Sequence, residues 1–181
     1  FTRPEGPKDN WPMQRGFEKF YGTIIGAGSF YDPATLCRAN TFITPDNDPA
    51  YKPETYYYTD AISDNAVTFL KQHTTESPDK PFFLYVAYTA AHWPMHALEK
   101  DIAKYHGVYD AGWDAIREAR YKKTRLIGLI NDNCQLSPAV NAGWKNEAEK
   151  EWRVRCMEVY AAMVVPMDQG IVHIPGELKR R

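Results

Sequence analysis

The 181 residues carry 22 Lys plus Arg against 23 Asp plus Glu, a formal net charge of −1. That balance gives no electrostatic ground for a nucleic-acid or membrane-surface partner, since both need a concentrated positive field. With 44% hydrophobic and 25% charged residues, the composition is that of one ordinary globular domain with a core of its own.

The chain starts at Phe1 without a Met, a basic leader or an apolar leader run, so it reads as an internal or processed piece. Phe1 to Trp11 is a polar, Pro-rich lead-in. Met13 to Tyr31 has Gly16, Gly22, Gly26 and Gly28 set among aromatics, a pattern of short strands and tight turns. Gly26-Ala27-Gly28 lacks the strand-before, helix-after setting and the Lys of a phosphate-cradling loop. Asp32 to Pro53 reads as a loop with hairpin pieces, and Tyr56 to Tyr58 as extended. Ala61-Ile62, Ala66-Val67 and Phe69-Leu70 recur at helical spacing, which predicts a helix from about Asp60 to His73, capped by Thr59 or Asp60.

Pro81 to Ala97, PFFLYVAYTAAHWPMHA, is the stretch that organises the rest. Phe82 to Ala91 is apolar without alternation, so a central parallel strand buried on both faces is expected. It is too short to span a bilayer, which takes about 20 apolar residues. Pro94 stops the strand, and His92, Trp93 and His96 fall at its carboxyl end, where open α/β sheets gather ligands. Beyond it, Glu99 to Tyr105 reads as a short helix and Trp113 to Leu126 as an amphipathic one with Gly128 as its C-cap. Leu129 to Asn146 reads as irregular. Glu147 to Met167 is the strongest helical stretch, with Trp152, Cys156, Val159, Tyr160, Met163 and Val164 on one face. Pro166 is expected to kink or end it, leaving a fraying basic tail from Asp168 to Arg181.

Several groups invite a chemical reading and mostly resist it. His92 and His96 have the spacing of two zinc ligands on a helix, but Pro94 lies between them and no Glu accompanies them. A strand-end histidine that hydrogen-bonds an anionic substrate is the alternative to one that simply holds a carbonyl, and spacing alone favours the latter. Cys37, in CRANT, has no base or helix start near it in sequence and reads as a buried or loop cysteine. With Cys134 and Cys156 it makes an odd, widely spaced set with no zinc pattern, and at most one pair is bridged. Asp46, Asn47 and Asp48 lack the further ligands of a calcium loop and read as a solvated turn. Asp168 reads as an ordinary polar residue beside a kink. Aromatic content of 14% fits either large core packing or an aromatic-lined cleft for a ring-bearing or sugar substrate.

Four stretches, in order along the chain, carry a resemblance. Gln14-Arg15-Gly16-Phe17-Glu18-Lys19-Phe20-Tyr21-Gly22 resembles an RGF-x-x-FYG segment, Tyr57 to Asp64 a YxTD helix start, Phe82 to His96 a strand ending in H-x-P-x-H, and Met157 to Ile174 a Y-x-x-M-x-x-x-D-x-x-I helix. Together they are similar to an internal segment of the formylglycine-dependent, type I sulfatases, close to the arylsulfatases. The resemblance implies an α/β fold, part of an alkaline-phosphatase-like sandwich with a mostly parallel sheet and flanking helices, and hydrolysis of sulfate esters of small molecules or carbohydrates. It implies calcium and formylglycine in a full-length parent, with neither bound by this segment, and a periplasmic or secreted setting. It assigns His92 as a catalytic residue at the sulfate ester, with His96 and Trp93 as substrate contacts. CRANT departs from the C-x-[PA]-S-R nucleophile motif and falls after the RGF segment rather than before it, so this segment by itself is expected to be inactive. Two rivals stand beside that reading: a non-catalytic binding domain, and a phosphate-ester hydrolase of the same superfamily. A partial sheet also implies self-association through exposed edges.

Overall fold

The computed structural model describes residues 3–140 and 143–179. The ends of the lead-in and tail, and Asn141 and Ala142 of the irregular loop, lie outside the described residues. The chain divides into two compact units, one of Phe1–Ala97 with Met163–Arg181, the other Leu98–Ala162.

The first unit holds a three-stranded antiparallel sheet in the order β1 (Tyr21–Thr23), β2 (Leu36–Arg38), β3 (Thr41–Phe42). Tyr21 pairs with Arg38, Thr23 with Leu36, and Cys37 with Phe42. Ala39, at φ 52°, helps turn the chain within the two-residue connection from β2 to β3. Helix α1 (Tyr58–Glu76) is three turns' worth of amphipathic sequence extended at both ends. Its N-cap is Tyr57, in extended conformation and without a side-chain cap, so neither Thr59 nor Asp60 plays that part. The reason is that Thr59 is buried and already within the helix, while the Tyr58 N–H is taken by the Phe30 carbonyl at 2.8 Å. Tyr58, Ala61, Ile62, Ala66 and Leu70 bury one face of α1, alongside Trp11, Phe30, Leu36 and Tyr57.

The expected central strand is not formed. Residues 81–89 carry no regular secondary structure and pair with nothing in the described sheet, and Phe83 and Tyr85 are 78% and 72% exposed. A strand exists only through its neighbours: without a flanking ladder its backbone polar groups lack strand partners, and here Phe83, Tyr85 and Ala87 stay exposed while Leu84, Val86 and Tyr88 are half-buried. Side chains alone hold the segment. Phe82 lies against the His73 ring at 5.2 Å, Phe83 against Phe17 at 6.1 Å, and the Tyr88 hydroxyl meets Ser63 Oγ at 2.8 Å.

In the second unit, α2 (Glu99–Ile102) runs into a 3-10 turn at Ala103–Tyr105, as the sequence suggests. Helix α3 (Gly112–Leu126) closes on Gly128 at φ 74°. The Gly128 N–H donates to the Arg125 carbonyl and the Leu129 N–H to the Thr124 carbonyl, both at 3.0 Å, a Schellman closure that satisfies two otherwise orphaned carbonyls.

Helix α4 (Lys150–Lys179) differs most from expectation, because it continues through both Pro166 and Pro175. The fraying tail is absent as far as Lys179. Each proline removes one helical hydrogen bond, a local cost of about 3 kcal/mol, but the turn around Pro166 lies in the core of the first unit. Met163, Pro166 and Gly170 form one buried stripe. At Gly170 the approach is so close that a Cβ would overlap Ser63 Oγ and the Tyr88 hydroxyl. The face read from sequence is buried only in part: Met163 is fully buried and Cys156, Val159 and Val164 half-buried, but Trp152 and Tyr160 are 57% and 46% exposed, and Glu158, off that face, is buried. No helix of the described residues is long and apolar enough to cross a membrane.

Candidate functional site

The segment from Thr89 to Ala97 turns rather than continuing as a strand. The His92 N–H donates to the Thr89 carbonyl at 2.9 Å, and the Ala90–Ala91 and Trp93–Pro94 peptide bonds are cis. His92 and Trp93 are both exposed at this turn. His92 Nδ1 lies 2.8 Å from the Trp93 carbonyl. A carbonyl only accepts, so Nδ1 carries the proton there and the ring is oriented by its own backbone. Nε2 has no partner among the described residues. The bland reading of His92, a histidine that holds a carbonyl, is therefore present in the geometry, yet only one ring nitrogen is spent on it.

His96 is held differently. Its Nδ1 accepts from the Phe30 N–H at 3.4 Å, which places the ring proton on Nε2. The ring sits 5.7 Å from Tyr31 at 30° and edge-on to Phe30 at 6.3 Å. The backbone around it is pinned as well: the Tyr57 hydroxyl donates to the His96 carbonyl at 2.9 Å and the Tyr31 hydroxyl to the Ala97 carbonyl at 2.7 Å. The two histidines engage separate partners and share no helix face, which removes the zinc-helix arrangement. Trp93 is 65% exposed.

Cys37 is fully buried on β2, and burial pushes its thiol up to about 11. Its Sγ faces the Thr35 carbonyl at 3.4 Å. A thiol held protonated in the core is a packing group, not a nucleophile or an oxidisable precursor of one. Cys134 and Cys156 are free as well. Among the described residues, no group of three or more His, Cys, Asp or Glu is placed to hold a metal ion. Among the described residues, then, no group fits a calcium site, and Cys37 does not fit a formylglycine precursor.

The polar cluster that sequence reasoning passed over lies beside Cys37. Arg38 Nε and Nη2 donate to Asp48 Oδ1 and Oδ2, both at 2.8 Å, and Nη2 also reaches Asn65 Oδ1 at 2.9 Å. Asp48 is 1% exposed, so the supposed solvated turn contributes a buried carboxylate. Burial alone would raise its pKa, but hydrogen bonds from Arg38 and the Ala50 N–H outweigh it and hold it below the usual carboxylate range. The guanidinium stacks 4.8 Å over Tyr21, whose hydroxyl meets that of Tyr56 at 3.0 Å. Burial pushes Tyr21 up to about 12 and raises Tyr51, Tyr56 and Tyr58 too. This cluster is closed and fully partnered, which suits a scaffold. Nothing in the linear sequence marks Arg38 and Asp48 as partners, beyond each lying in a polar stretch flanked by core residues. Asp168 is exposed on α4 and belongs to no cluster.

Comparison with known proteins adds the family. The family model described as Sulfatase matches residues 4–181. An uncharacterised sulfatase of Schizosaccharomyces pombe is 32% identical over 94% of this chain and 33% of its own length. The arylsulfatase of Klebsiella aerogenes is 27% identical over 93% of this chain and 37% of its own, and mouse arylsulfatase J is 27% identical over 82% and 27%. The chain thus spans about a third of the length of these curated relatives. A solved structure described as Ps i-CgsB superposes with a TM-score of 0.57 at 20% identity, over 97% of this chain and 31% of that one, a likeness of fold.

Proposed function

The chain belongs to the sulfatase family, and from that premise we propose that the full-length protein hydrolyses sulfate esters of small molecules or carbohydrates, with this chain contributing His92 to the site. One observation carries the assignment. His92 is an exposed imidazole at a turn, with Nδ1 tied to the Trp93 carbonyl and Nε2 left for a ligand. A ring oriented by one nitrogen presents the other in a defined direction, which is what hydrogen bonding to an ester oxygen as the leaving group departs requires. His96 is a supporting residue in this reading, since its ring and backbone are fixed by Phe30, Tyr31 and Tyr57. Trp93 contacts the organic part of the substrate. The nucleophile and the calcium ligands come from elsewhere in the full-length protein, and this chain alone does not turn over. In that setting residues 81–91 complete a parallel strand of an alkaline-phosphatase-like sandwich, which would cover Phe83 and Tyr85.

The test is His92→Ala in the full-length protein with 4-nitrophenyl sulfate as substrate. Turnover should fall by about a hundredfold to ten-thousandfold with the melting temperature unchanged, because the side chain is exposed. Unchanged turnover would remove His92 from the site. Turnover of 4-nitrophenyl phosphate in preference to the sulfate would move the reading to the phosphate-ester rival. No turnover of either by the full-length protein would leave the binding-domain rival standing.

A further inference from the structure

The second unit contains a cavity of about 400 Å³, apart from everything assigned above. It lies between the start of α3, the first turns of α4 and the loop residues 137–140. Trp113 and Trp144 meet edge-to-face there with ring centroids 4.8 Å apart. Gly112 makes that arrangement possible: its φ is +79°, and a Cβ at this position would overlap the Trp144 indole. Val154 and Met157 of α4 extend the apolar wall.

Three arginines line the same cavity, against one acidic residue, Asp114. Two are already engaged. Arg117 donates to Ser137, and Arg153 lies within 3.5 Å of Glu147 and 4.0 Å of Glu149. Asp114 accepts the Trp144 N–H at 2.6 Å. Arg120 has no ion pair or hydrogen bond among the described residues. Among the described residues the buried indole Nε1 of Trp113 has no acceptor, a rare condition that an oxygen from a bound molecule would relieve. An apolar aromatic wall, an unspent guanidinium and an unsatisfied indole donor together call for a ring that carries an oxyanion. The volume suits one or two fused rings.

We propose that this cavity is a binding site for a small planar aromatic anion, its ring against Trp113 and Trp144 and its charged oxygens toward Arg120. The proposal stands independently of the sulfatase reading. The probe is naphthalene-2-sulfonate, titrated calorimetrically into the full-length protein. Saturable binding is expected, with a component weakened about tenfold or more by Arg120→Glu and less by Arg120→Ala, while uncharged 2-naphthol binds both variants as it binds the parent. Arg120 is exposed, so both variants should fold. The component sensitive to Arg120 should persist in His92→Ala, whatever that variant does to binding at the ester site. No saturable binding by the parent protein, equal affinity in the arginine variants, or loss of that component on His92→Ala would each overturn the proposal.

Discussion

Two parts of the first unit are built from similar residues and end in opposite states. Around Arg38, a cysteine and a carboxylate are buried beside half-buried tyrosines, with Asp48 paired to Arg38 and Tyr21 to Tyr56. In residues 81–93, aromatics, small apolar residues and a histidine stand largely exposed, held at a few points by side chains. What differs is the neighbourhood: β2 has a strand on each side, and the later segment has none. Apolar sequence specifies that a stretch wants to be covered, but the covering surface has to come from somewhere else in the protein.

The comparison breaks most clearly at Asp48. Asp48→Ala leaves the Arg38 guanidinium partly buried without its carboxylate and should cost about 3 kcal/mol in urea unfolding. The same pair gives a pH signature. The Asp48 pKa is lowered in the folded state, so its contribution is full above the unfolded value of about 3.9 and is lost as pH falls through the folded value. Asp48→Asn should flatten that acid limb; an unchanged limb would show that other carboxylates dominate it. A smaller effect is expected at Gly170→Ala. Alanine gains about 1 kcal/mol in a helix interior, but the new methyl overlaps Ser63 Oγ and the Tyr88 hydroxyl. Overpacking of about 1–3 kcal/mol should win narrowly, and thermal melting would show a lower midpoint. The smallest effect sharpens the contrast itself. Phe83→Ala, at a side chain 78% exposed here, should change the stability of this chain alone by less than about 0.5 kcal/mol. In the full-length protein, where the segment is proposed to be a covered strand, the same change should cost about 3 kcal/mol or more. Equal small effects in both would mean the segment is exposed there too.

Local order was legible where the signal was local. Apolar spacing in Ala61 to Leu70 marked α1, and Gly128 marked the end of α3, because periodicity and a left-handed residue act within a few positions. Glycine-punctuated aromatics before Tyr31 marked short strands. What depended on distant partners was lost. Pro166 looked like a helix end, yet Met163 and Gly170 pack their turns tightly enough to carry α4 past it. Trp152 and Tyr160 looked like a core face, and the buried group beside them is Glu158, tied to the Gly107 N–H and to Arg155. The resemblance assigned His92 and His96 different roles, but nothing in the sequence distinguished how each ring is held. That distinction rests on which ring nitrogen is occupied, a matter of Phe30 in one case and the Trp93 carbonyl in the other.

The tyrosines around Arg38 amount to a built-in optical gauge. Burial raises the pKa of Tyr21, Tyr51, Tyr56 and Tyr58, so their contribution to stability is full below the free phenol value of about 10 and fades as pH rises toward the folded values. In alkaline solution these phenols stay colourless near 295 nm while the first unit is closed. They ionise when it opens, and the tyrosinate absorbance they add beyond that of the protein's other tyrosines reports that opening without a label.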